Sequence, residues 1–282
     1  MHIFHAIAPL QQALIQHRRN GRRIAVVPTM GGLHAGHLAL VNAARQQADV
    51  VVATIFVNPL QFGAGEDLSR YPRTFEADCE KLEASGCDVL FAPDVATLYP
   101  NGLEGLSQVH VPIVSEGLCG ARRPGHFDGV STVVSLLFHI VSPDVACFGE
   151  KDFQQLAVIR KMVSDLHFPI DIVGVPTVRG EEGLALSSRN SYLNAYELER
   201  ASVLYRTLQA LRVRLEEGEL AADVLRDGLS ALVEHGFKPD YLELRRADDL
   251  AQVDDGTRDA VLLVAAHLGT TRLIDNIRVT LA

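Results

Sequence analysis

An almost unbroken apolar run, Val50-Val51-Val52-Ala53-Thr54-Ile55-Phe56-Val57, limits the fold more than any other stretch. It is rich in β-branched residues and does not alternate with polar ones, which is the signature of a strand covered on both faces in a parallel sheet. Shorter runs of the same kind recur at Ile24–Val27, Asp88–Pro93, Asp144–Gly149 and Ile170–Val175. Helical patterns lie between them. Residues 6–19 put Ile7, Leu10, Leu14 and Ile15 on one face. A second pattern runs from residue 37 through Leu38, Val41, Ala44 and Ala48. A third, capped by Thr74, turns Phe75, Cys79 and Leu82 inward; residues 130–141 form a fourth. A fifth begins at Asp152 and turns Leu156, Ile159, Val163 and Leu166 inward. Such alternation predicts an α/β fold with a doubly wound parallel sheet. Val109–Val111 reads as one more short strand. Past residue 176 the pattern changes, with helices at 195–216 and 221–235 and strands at 240–245, 260–267 and 272–280. This predicts a first domain over 1–176 and a smaller C-terminal α+β domain over 177–282.

The turns carry the chemistry. Pro28-Thr29-Met30-Gly31-Gly32-Leu33-His34-Ala35-Gly36-His37 joins a strand to a helix, and its glycines let the backbone approach a ligand. Free amides and the positive helix end at such a turn suit a phosphate. Two histidines three residues apart share one side of the first helical turn. The turn lacks the Gly-Lys-Ser/Thr ending of a Walker loop and the Gly-x-Gly-x-x-Gly of dinucleotide folds. On this stretch alone, phosphate chemistry and a plain strand-to-helix turn stand about equal. Asn58 and Gln61 follow the strand at 50–57, where ligands of open α/β sheets bind. Gly149-Glu150-Lys151-Asp152, with Gln155 one turn on, and Leu186-Ser187-Ser188-Arg189 add a lysine, an arginine and two hydroxyls. Residues 117–127, with Arg122, Arg123 and His126, either cover an acidic substrate or form a solvated surface loop; composition favours the second. No nucleophile with a paired base stands out. The set suits stabilisation of charge on a nucleotide phosphate, with Mg²⁺ assisting and its protein ligands unassigned.

Composition narrows the partners. Among 282 residues, 35 acidic against 26 basic side chains give a net charge of −9, which argues against general binding to nucleic acid or to a membrane surface. No basic leader followed by an apolar stretch opens the chain, and no apolar run approaches membrane-spanning length. Cys79, Cys87, Cys119 and Cys147 form no Cys-x-x-Cys pair and read as reduced thiols of a cytoplasmic protein.

These stretches resemble a family. The His34-x-Gly-His37 turn is similar to that of the nucleotidylyltransferase superfamily, whose fold is Rossmann-like. More narrowly, six stretches in order over residues 28–190 resemble the pantothenate synthetases (pantoate–β-alanine ligases). They are the 28–38 turn, Phe56-Val57-Asn58-Pro59 through Gly63, Tyr71-Pro72-Arg73-Thr74, Arg123-Pro124-Gly125-His126-Phe127, Phe148 through Gln155, and Leu186 through Asn190. The resemblance implies that ATP and pantoate give pantoyl adenylate and pyrophosphate, after which the β-alanine amine displaces AMP. It further implies that Met30, Gly31, Gly32, Leu33, His34, Ala35, Gly36 and His37 hold ATP, with His37 and His34 acting on the phosphate. Gly149, Glu150, Lys151, Asp152, Val178, Leu186, Ser187, Ser188 and Arg189 would complete the ATP site. Lys151 and Arg189 would meet the developing charge. Gln61 and Gln155 would bind pantoate, with Gln61 also near β-alanine. The C-terminal domain would act as a lid, in a homodimer. The chain has Leu136 and His139 where the family commonly has lysine and asparagine, which bears on helix packing and surface charge. Rival readings are a transferase acting on a phosphorylated acceptor, a regulatory nucleotide-binding module and a zinc site at His34 and His37.

Overall fold

The structure, a computed structural model, describes residues 1–281; Ala282, the last residue of the expected second domain, lies outside them. Six parallel strands form one sheet: β1 (His2–Phe4), β2 (Ile24–Thr29), β3 (Val50–Ile55), β4 (Val89–Phe91), β5 (Val145–Gly149) and β6 (Asp171–Val175). Their order is β1-β4-β3-β2-β5-β6. Seven helices belong to this part: α1 (Ile7–Arg19), α2 (Ala35–Gln47), α3 (Phe75–Ala84), α4 (Val95–Leu98), α5 (Leu118–Arg122), α6 (His126–Val141) and α7 (Phe153–Asp165). Successive residues of a strand point to opposite faces. Thus Ile24 and Val26 pack with Leu10, Leu14 and the apolar faces of α6 and α7. Ala25 and Val27 pack with Val41 and Ala44 of α2 and Leu82 of α3. Both faces are covered, as the unalternating runs require.

The chain builds outward from β2 through β3 and β4 in one direction and from β5 to β6 in the other. The crevice between the carboxyl ends of β2 and β5 is therefore the topological switch point, where open α/β sheets bind ligands. The turns at 30–34 and 149–152 both open onto it.

After Val175 come α8 (Ala195–Ala201), α9 (Val203–Glu216) and α10 (Ala221–Glu234), then β7 (Phe237–Arg246), β8 (Asp259–Leu268) and β9 (Thr271–Thr280). The three strands form an antiparallel sheet in the order β7-β8-β9. Leu262, Val264 and Ala266 of β8 pack with α9 and α10. Val261 and Leu263, on the other face, join Ala247 and Leu250 in the core of the larger sheet. The second sheet thus buries both faces, one of them against the first unit.

Several local expectations change. β1 is an added edge strand, His2–Phe4, which lacks the apolar run that marks the others. Val109–Val111 is not a strand, because its backbone is taken by α6: Thr132 Oγ1 accepts the Val109 N–H and the Ser131 hydroxyl donates to Val109 O. The expected 195–216 helix breaks at Ser202. Residues 118–122 are helical rather than loop. Ile15 and Leu166 are exposed, not inward. Leu136 packs against the core, and the His139 ring lies edge-on to Phe168.

Candidate active site at the sheet switch point

A cavity of about 210 Å³ fills the crevice. It adjoins a second, of about 480 Å³, under β9; the two share Arg123, His126, Lys151, Asp152, Gln155, Ser187 and Arg189.

His34 is the N-cap of α2, and His37 closes a reciprocal capping pair with it. Gly36 N–H donates to His34 Nδ1 at 3.1 Å and His34 N–H to His37 Nδ1 at 3.3 Å. With each Nδ1 accepting, each proton sits on Nε2. The ring centroids are 4.1 Å apart. A Cβ at residue 36 would lie 2.8 Å from the His34 ring, so only glycine lets the ring fold over the helix start. Burial, then Lys151, lowers the His34 pKa to about 4. Burial, then His34, lowers that of His37 to about 3. Near neutral pH both rings are uncharged N–H donors.

Lys151 lies on the turn after β5, its nearest carboxylate Asp152 at 3.7 Å. Desolvation opposes the Asp152 charge, but Lys151 and Arg189 outweigh it and hold its pKa low. Arg189 makes a bidentate pair with Asp67 at 2.8 and 2.9 Å. Ser188 donates to Gly32 O at 3.0 Å, and Ser187 Oγ accepts the Arg189 N–H at 3.2 Å. Thus the loop at 186–189 is fastened across the first turn.

On the far side, Gln61 sits in a 3-10 turn against α6. A Cβ at Gly129 would meet Leu60 O at 2.2 Å, so this close approach needs glycine. His126 Nδ1 donates to Gln61 O at 2.8 Å, and Arg123 reaches His126 Nε2 at 3.0 Å and the same carbonyl at 3.1 Å. Glu66 holds Arg123 bidentately at 2.7 and 2.6 Å. Burial, then Arg123, lowers the His126 pKa to about 4.

Three half-buried neutral histidines make stability pH-dependent. The unfolded chain takes up a proton near pH 6.5, whereas the folded sites resist until about pH 3–4, so stability is full above 6.5 and falls as pH drops through that window. At pH 5 the loss is roughly 2 kcal/mol each for His37 and His126, the most enclosed. Denaturant unfolding at pH 7.5 and 5.0 checks this; equal unfolding free energies would contradict it. The paired carboxylates Glu66 and Asp67, with lowered pKa values, add their loss only at lower pH.

Most expected site residues converge. Met30, His34, Gly36, His37, Gln61, Gly149, Lys151, Asp152, Gln155, Val178, Leu186, Ser187, Ser188 and Arg189 line the first cavity. Gly31, Gly32, Leu33, Ala35, Asn58 and Glu150 do not. Nor does the 31–34 turn present free amides. Gly31 N–H donates to Thr29 Oγ1 at 3.3 Å, and Gly32 and Leu33 N–H both donate to Asp78 at 2.8 Å. Buried amides need partners, and a carboxylate from α3 supplies them. Asn58 is fully buried; its side chain bonds Gln61, Gly129, Leu60 and Tyr99 and positions the 58–61 turn rather than facing the cavity. Glu150 turns toward Gly174.

Composition misplaced Arg123 and His126, which face the cavity. Thr74 does not cap α3; its hydroxyl donates to Asp78 at 3.1 Å. Asp78 was missed altogether. Its sign was its place between Phe75 and Leu82 on the inward helix face, where an acidic residue is out of pattern.

A family model for pantoate-beta-alanine ligase matches residues 2–278. The chain is 66% identical to the pantothenate synthetase of Chromohalobacter salexigens over 275 residues, 98% of this chain and 97% of that protein. The pantothenate synthetase of Thermus thermophilus superposes with a TM-score of 0.91 at 48% identity, covering 98% of this chain and 99% of that one. The Francisella tularensis pantoate-beta-alanine ligase, solved with βγ ATP and β-alanine, superposes at 0.81 with 32% identity, covering 98% and 97%. The cavity at the sheet's switch point is thus carried on a chain that belongs to the pantoate–β-alanine ligase family, the pantothenate synthetases.

Proposed function

We propose that the chain joins pantoate to β-alanine to form pantothenate, with ATP as adenylyl donor and pantoyl adenylate as the intermediate. The observation that carries this reading is the convergence of His34, His37, Lys151 and Arg189 on one cavity that Gln61, Gln155 and the apolar side chains of Val130, Val133 and Val134 also line. Pantoate has a carboxylate, two hydroxyls and a dimethyl carbon. Neutral amides suit the first two, and valines suit the third.

A pantoate carboxylate oxygen attacks the α-phosphorus, the bond to the bridging oxygen breaks, and pyrophosphate leaves. Both partners are anionic, so cations and donors at the phosphates lower the barrier. The two Nε2–H groups donate to phosphate oxygens as charge grows, and Lys151 offsets charge on the departing group. Arg189 joins when the incoming anion competes with Asp67. The β-alanine amine then attacks the acyl carbon, the carbon–oxygen bond to phosphate breaks, and AMP leaves. Residues 177–282 serve as the lid that keeps water from the adenylate, and the active protein is a homodimer.

Mg²⁺ is tested by the donor set. Among the described residues no group of three His, Cys, Asp or Glu side chains is placed to hold a metal, and Asp152 is the one carboxylate lining the first cavity. This fits an ion that the triphosphate would carry; Asp152 is the residue that would help hold it, and the ion would supply charge neutralisation.

The test is pyrophosphate release from purified protein with Mg²⁺-ATP and pantoate, before and after β-alanine is added. The expected result is pyrophosphate from the first mixture and pantothenate with AMP only from the complete one, read by mass spectrometry. ATP binding without pyrophosphate release would overturn the reading.

A further inference from the structure

Asp78 lines neither the switch-point cavity nor the one under β9, yet it holds the backbone that bears both histidines. We propose that Asp78, with Lys81 one turn along α3, is the positioning pair that sets the orientation and tautomer of His34 and His37. The proposal rests on the ligase reading for its catalytic consequence and on geometry for the rest. Asp78 is 1% exposed, in a helix whose other inward residues are apolar. One oxygen accepts Gly32 N–H at 2.8 Å. The other accepts Leu33 N–H at 2.8 Å and the Thr74 hydroxyl at 3.1 Å. Lys81 Nζ donates to Leu33 O at 2.7 Å.

Those contacts grip both peptide planes of Leu33. Asp78 takes the N–H of the 32–33 peptide, and Lys81 takes the C=O of the 33–34 peptide. The N–H of that second plane belongs to His34 and is the donor to His37 Nδ1. A continuous line therefore runs from α3, through one peptide plane, to the ring atom that decides where the His37 proton sits. The turn needs such bracing, because Gly31 and Gly32 adopt φ of 83° and 63°, where glycine has most freedom. Ser188 fastens the turn from the opposite side through Gly32 O.

The test uses the full chain with Asp78→Ala, Asp78→Asn and Lys81→Met, each assayed for pyrophosphate release below its own Tm. Imidazole ¹⁵N spectra are recorded alongside. Loss of the brace should lower kcat about 30- to 100-fold in Asp78→Ala and about tenfold in Lys81→Met, with the KM for pantoate within about threefold. Asp78→Asn, which keeps one good acceptor, should fall between wild type and Asp78→Ala. The His37 ring should move from a single Nε2–H form toward a mixture of tautomers. A purely structural Asp78 would lower Tm while leaving kcat per folded molecule and the tautomer unchanged, and that result overturns the proposal. If Asp78→Ala does not fold, Lys81→Met and Thr74→Val decide it on the same two readouts. A wild-type protein that releases no pyrophosphate sinks the ligase reading, whereas the ¹⁵N spectra judge the positioning of the rings independently.

Discussion

The His37→Ala variant is expected to release pyrophosphate from Mg²⁺-ATP and pantoate with kcat lowered about 10²- to 10³-fold and the KM for pantoate little changed. The Nε2–H of His37 is preorganised by a backbone donor on its Nδ1 and enclosed beside His34. A fixed donor aimed at developing charge is worth about 3–4 kcal/mol in the transition state. It gives little to the ground state, so the loss falls on kcat. Because the ring is neutral in the free protein, with its pKa lowered to about 3 by burial and then by His34, what is removed is a hydrogen bond rather than a standing charge. His37→Gln, which retains an N–H donor on a flexible stem, should recover part of the rate. Single-turnover pyrophosphate release measures the effect, and a rate within about threefold of wild type would remove His37 from the chemistry.

The second large effect is on stability. Arg179→Ala is expected to lower the unfolding free energy by about 3–5 kcal/mol, the usual cost of stripping one partner from a buried ion pair. Arg179 meets Asp275 at 2.7 and 2.9 Å and lies over the Tyr205 ring at 3.5 Å from its centroid. The Asp275 side chain is 1% exposed, and without the guanidinium its charge keeps the Asn276 N–H as its remaining partner. Adding Asp275→Asn should restore part of the loss, since an unpaired buried charge is what costs most. The site should respond as well. Neighbouring Asn276 donates to Glu150 O and Lys151 O at 2.9 and 3.0 Å, which ties β9 to the turn carrying Lys151. Urea unfolding of the single and double variants measures this; an Arg179→Ala midpoint equal to wild type would refute it.

Five of the six parallel strands, five of the seven helices that cover them and the turns at the sheet's carboxyl edge were legible in the sequence. Each is written in local periodicity or in residue types clustered within a short stretch. Val50–Ile55 reads as a doubly buried strand on its own, and the two-histidine turn marks itself by its glycines. The short motifs in their order likewise pointed to the family before any coordinates did. Local pattern was thus enough to mark the central strands of the sheet and the turns at its carboxyl edge, though not the edge strand β1.

It was not enough to say which polar group each turn is bonded to. The amides of Gly32 and Leu33 read as free until α3 brings Asp78 to them from 46 and 45 residues away. Arg189 reads as a free cation until Asp67 meets it from 122 residues away, and Arg123 as a surface residue until Glu66 does. Asn58 reads as a ligand contact until Tyr99 and Gly129 use its side chain. A buried donor or acceptor must be satisfied, but by whatever the fold delivers. That assignment depends on distances between remote segments, which folding sets and for which no local pattern exists.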